Sequence, residues 1–135
     1  MQMNGSRRSV QELSKPLLLG LATALVIGVV TPLIIPHVTH PSMVFHVALH
    51  VVGVTIAAFL SMVSFLAYSR NPSTRMFLIA LGFTTLVLAE FFHVLQASGM
   101  AAGLSFIPAL NIELPHIVLL IMLVFFGLGV LKVNK

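Results

Sequence analysis

The chain has 135 residues, 59% hydrophobic and 7% charged, with a mean hydropathy of +1.11, whereas a soluble domain carries roughly a quarter charged residues. So short a chain has too much surface to hide this much apolar area by folding alone, and disordered segments are poor in apolar residues, which leaves an integral membrane protein of one domain, 1–135. Seven Lys and Arg against three acids give a formal +4, but the basic residues lie in short segments between apolar runs, where bilayer orientation explains them without a nucleic-acid partner.

Cysteine is absent, which excludes disulfides, thiolate ligands and Cys nucleophiles, and Trp is absent too. In chain order, four apolar runs cover about residues 16–35, 43–69, 76–98 and 114–133. Each is close to the roughly 20 residues that cross a ~30 Å hydrocarbon core as a helix. Open strands would leave backbone groups unpaired in lipid, so the expected fold is all-α, four transmembrane helices in an up-down bundle. Arg7, Arg8 and Lys15 precede the first run. Its apolar stretch exceeds a signal-peptide core and no A-x-A-like site follows, so it reads as an uncleaved helix that Pro32 kinks or ends. Arg70 and Arg75 flank the loop between the second and third runs, and Lys132 and Lys135 follow the fourth. The first loop (36–42) and the third (99–113) contain no Lys or Arg. The positive-inside rule then makes both termini cytoplasmic and turns those two loops outward.

On this topology all six histidines fall in the outer half. His37 and His40 lie in the first loop, His46 and His50 in the outer turns of helix two, His93 in helix three, and His116 at the start of helix four. Glu90 and Glu113 join them. With 1.5 Å of rise per residue, His46 stands about 5 Å deep and His50 about 10 Å, against about 7 Å for His93 and about 12 Å for Glu90. Two layers follow, His50 near Glu90 and His46 near His93 and His116. His46 and His50 are i,i+4 and share a face, which continues through Gly53, Ala57, Ser61 and Ser64. Small residues of this kind mark close helix–helix contact in membranes. On helix three, Glu90 and His93 lie on a stripe running back through Leu86 and Gly82.

Glu90 carries the most information. A carboxylate deep in an apolar helix needs a partner, a proton or a cavity, and no Lys or Arg stands at its depth. The chemistry of His46, His50, Glu90 and His93, with His116 as a fourth imidazole, suits a transition metal such as Cu, Zn or Fe. A b-haem held by His50 or His46 with His93 is the second version, with room on the Gly53/Ala57 and Gly82 faces. The repeated E-x-x-H strings, Glu90–His93 and Glu113–His116, invite comparison with di-iron bundles. Pro115 at the first helical position would, however, leave Glu113 outside helix four and break its i,i+3 geometry. His37 and His40 read as interfacial, bonding to loops or headgroups. No Asp is present to orient a histidine, no serine has a nucleophile signature, and no phosphate loop occurs. The functional expectation is a metal-binding accessory subunit of a membrane metalloenzyme or respiratory complex, more a partner of other membrane subunits than a self-contained enzyme. The alternative is a structural or assembly subunit, or a proton-responsive membrane protein without metal, because histidine changes charge around neutral pH.

Overall fold

Four long helices follow one another along the chain. The computed structural model describes residues 5–38, 40–100, 106–108 and 112–132, with residues 5–14, 37 and 106 as backbone alone. The elements are α1 (Gly5–Ile34), a 3-10 turn (Ile35–His37), α2 (Pro41–Arg70), α3 (Thr74–Ala97), a two-stranded ribbon β1 (Phe106–Ile107) and β2 (Ile112–Glu113), and α4 (Leu114–Leu131). All four helices contain a stretch long and apolar enough to cross a membrane.

Local chemistry sets the ends. At α2, Pro41 takes the first helical position, whose N–H would be unpaired in any case. His40 caps it, with Nδ1 accepting from the Ser42 N–H at 3.4 Å. Ser73 caps α3 by accepting from the Met76 N–H at 3.2 Å. At the other end of α3, Gly99 adopts φ +76°. Gly99 N–H bonds to Gln96 O and Met100 N–H to Leu95 O, the paired bonds of a Schellman cap, which suits a residue lacking Cβ.

Two boundaries differ from the hydropathy reading. Helix α1 begins at Gly5 rather than near residue 16, because residues 6–15 include good helix formers such as Arg7, Gln11, Glu12 and Leu13, which hydropathy does not register. It also runs through Pro32 to Ile34 before tightening into the 3-10 turn, so Pro32 does not end the helix. Between α3 and α4, the loop contains a ribbon pairing Phe106 with Glu113 and Ile107 with Ile112. Most of that loop, 101–105 and 109–111, lies outside the described residues.

Each helix packs chiefly on the next, α1 on α2, α2 on α3 and α3 on α4. Ala22, Val26, Val30 and Ile34 repeat every four residues on α1 and are buried. Of these, Val26, Val30 and Ile34 form a core with Val47 and Val54 of α2 and Val94 of α3. Contacts run in opposite order along α2 and α3, Gly53 against Glu90, Ser61 against Thr84 and Tyr68 against Phe77. These two helices are therefore antiparallel. On the far side of α3, Phe126 of α4 lies against Gly82 and Phe83, and Gly129 against Ile79. Large apolar side chains such as Leu17, Phe45, Leu49, Leu120 and Leu131 point outward, an apolar exterior that suggests a lipid environment.

Candidate functional site

The α2–α3 seam collects the polar side chains. Ala57, 1% exposed, and Ser64, 7% exposed, are buried in α2. Ser61 Oγ meets Thr84 Oγ1 at 3.0 Å across the seam. The small stripe that continues the His46/His50 face is thus the contact surface toward α3, and close helix approach is what those residue sizes permit. One turn on from His50, Gly53 lies against the Glu90 carboxyl group, whose Oε2 would be 2.9 Å from a Cβ placed at Gly53.

His50 and Glu90 meet directly. The Nδ1–Oε2 distance is 3.0 Å, with side chains 19% and 24% exposed. Glu90 on α3 therefore has the partner that its depth demands, supplied by α2 forty residues earlier in the chain. His93 stacks on His50, ring centroids 5.2 Å apart and planes 19° from parallel. His46, more exposed, sets its ring edge-on to His50 at 4.8 Å and 80°. The two-layer reading is half realised. His50 does sit at Glu90, but the ring contact of His93 is with His50 and not with the His46 tier.

These four side chains come together on the α2–α3 seam. Imidazole lone pairs lie in the ring plane, so the nearly parallel His50 and His93 rings direct theirs side by side and not toward a shared point. His50 Nδ1 is already committed to Glu90. Among the described residues no group of three or more His, Asp or Glu side chains is placed to hold a metal ion. Glu90 lies beside Gly53, and the Phe126 ring stands 2.7 Å from where a Gly82 Cβ would be. Gly82 faces α4, so the α3 stripe drawn from Glu90 through Gly82 does not stay on one contact.

His116 belongs to a different pair. Its Nδ1 lies 3.5 Å from Glu113 Oε2, both side chains well exposed at 65% and 50%. The i,i+3 approach thus closes despite Pro115. Leu114, not Pro115, opens the helix with Glu113 as its cap residue, one position away from the sequence reading. His40 is a helix cap, a role that Pro41 immediately after it signals. The stacking of His93 on His50 and the seating of Glu90 on Gly53 were not read from the sequence. The one available signal was a glycine three residues beyond His50.

Comparison with protein-family models, with curated proteins and with solved structures gives no match, so the site is interpreted from its own chemistry.

Proposed function

We propose that this chain crosses a cell membrane four times in an up-down arrangement with both termini cytoplasmic, and that His50 and Glu90 form a proton-responsive pair in its outer half. The carrying observation is the 3.0 Å Nδ1–Oε2 contact across the α2–α3 seam. Four apolar helices and the confinement of Lys and Arg to alternate segments support the topology.

The chemistry follows from charge. A neutral imidazole beside a carboxylate leaves one net negative charge among apolar side chains, which is costly. One added proton gives either imidazolium with carboxylate or imidazole with carboxylic acid, and both are net neutral. The imidazolium form adds the attraction of opposite charges to a hydrogen bond that the carboxylate already makes charge-assisted. The groups that face His50 are Glu90 and His93 from α3 and His46 from its own helix, while residues 16–34 of α1 carry no titratable side chain. A proton arriving from the outer side thus tightens α2 against α3. The role that fits such a pair is a responsive or accessory component of a membrane assembly.

The test is a pH titration of the protein in lipid nanodiscs, following the ¹⁵N signals of His50 and the carboxyl infrared band of Glu90. The two should change together, and Glu90→Gln should abolish the coupled change. Independent behaviour of the two groups overturns the reading. Stoichiometric zinc or copper that survives chelator-free purification and is lost in His46→Ala/His50→Ala would overturn it in favour of a metal site.

A further inference from the structure

We infer that Gly53 is the positioning residue of the His50–Glu90 pair: the side chain it lacks is the seat of the Glu90 carboxylate. The inference rests on the proposed role of that pair but concerns its construction. A Cβ at Gly53 would stand 2.9 Å from Oε2, 3.0 Å from Cδ and 3.4 Å from Oε1 of Glu90. All three carboxyl atoms thus lie against the one α2 position without a side chain, and the first is closer than real Cβ contacts come. Gly53 follows His50 by three residues and shares its face, so the residue that holds the carboxylate is also adjacent to the group that bonds it.

The arrangement is specific to this glycine. At Gly20, Gly28 and Gly127 an added Cβ would meet no atom within 4 Å, and helix propensity alone would favour Ala at such positions. At Gly53 the conflicting atoms are the far end of a flexible side chain and not backbone. The helices can therefore stay where they are when alanine is introduced, and the carboxylate is what moves. Displaced, Glu90 loses the 3.0 Å contact while the surrounding core, built from Val47, Val54 and Val94, is left in place. Gly53 thus decides whether a carboxylate in this seam can reach an imidazole.

The experiment is a double-mutant cycle in the full chain, Gly53→Ala with Glu90→Ala, read from the ¹⁵N chemical shift of His50 in nanodiscs, with Gly28→Ala as control. Gly53→Ala alone should abolish the hydrogen-bonded Nδ1 signal. In the Glu90→Ala background, where the seat is vacated, the same change should have no further effect, and Gly28→Ala should leave the signal as in the wild type. An equal effect of Gly53→Ala in both backgrounds would mean that it acts through helix packing, and overturns the inference. If Gly53→Ala alone yields no folded protein, recovery of folding in the double variant supports the seat, and failure to recover overturns it. A wild type without coupled titration whose His50 signal still depends on Gly53 sinks the proton-responsive reading and leaves the seat standing.

Discussion

Two His–Glu contacts occur among the described residues, and their surroundings make them unequal. His50–Glu90 closes at 3.0 Å with both side chains mostly covered, whereas His116–Glu113 spans 3.5 Å with both well exposed. Exposed pairs contribute about 0–1 kcal/mol. Removing one member of a covered pair leaves the other short of a partner, at about 1–3 kcal/mol and more for a charged group. His50→Ala should therefore lower the unfolding free energy in detergent by about 1–3 kcal/mol, while His116→Ala should change it by less than about 0.5 kcal/mol. Glu90→Gln keeps a hydrogen-bonding group against Gly53 and removes the charge, so the folded population should survive. Similar losses for His50→Ala and His116→Ala would contradict the distinction drawn between the pairs. Of this site, the sequence made the pairing itself legible. Helical rise put His50 and Glu90 at one depth, and the scarcity of cations left Glu90 few partners. Ring orientation was not legible, because spacing along a helix fixes which residues are neighbours and leaves their rotamers open.

The helices themselves pack by size complementarity, small residue against small residue or small against ring. Helix α3 uses both modes, Thr84 toward Ser61 of α2 and Gly82 toward Phe126 of α4. Hydrogen bonds between membrane helices average about 0.6 kcal/mol in double-mutant cycles. The Ser61→Ala and Thr84→Val pair should accordingly show a coupling near 0.6 kcal/mol, measured by steric trapping or reversible unfolding in detergent. Thr84 Oγ1 also bonds to Ala80 O at 2.9 Å, which keeps the hydroxyl satisfied after Ser61 is lost and holds the coupling low. Gly82→Ala places a methyl group 2.7 Å from the Phe126 ring and should cost about 1–3 kcal/mol as overpacking. Pairing it with Phe126→Leu should recover part of that loss. The positions of α2, α3 and α4 could be read from hydropathy to within two residues at every described end, since apolar length and flanking Pro and Arg mark them. The start of α1 could not, because a polar segment that extends an apolar helix carries no hydropathy signal. Nor could the partner of Gly82, since a small residue advertises close approach without saying to which neighbour.

Across the whole molecule, the functional reading depends on the two ends of α2 meeting different solvents. The helix has 30 residues, His40 at its start and Arg70 at its end. At 1.5 Å per residue it is about 45 Å long, against a hydrocarbon core of ~30 Å. If it spans, its polar ends lie in opposite aqueous phases and the His50–Glu90 pair is nearer the His40 end. On the proposed topology the Arg70–Arg75 turn is cytoplasmic, the histidine end meets the outside, and external pH is the variable it meets. Because the chain contains no cysteine, single cysteines can report this without background. Ser42 and Asn71 are exposed at opposite ends of α2. A membrane-impermeant maleimide added to intact cells should label Ser42→Cys and spare Asn71→Cys, which should react only after permeabilisation. The reverse pattern would keep the pair but turn it toward cytoplasmic protons, and labelling of both positions from one side would mean that α2 does not span the bilayer at all.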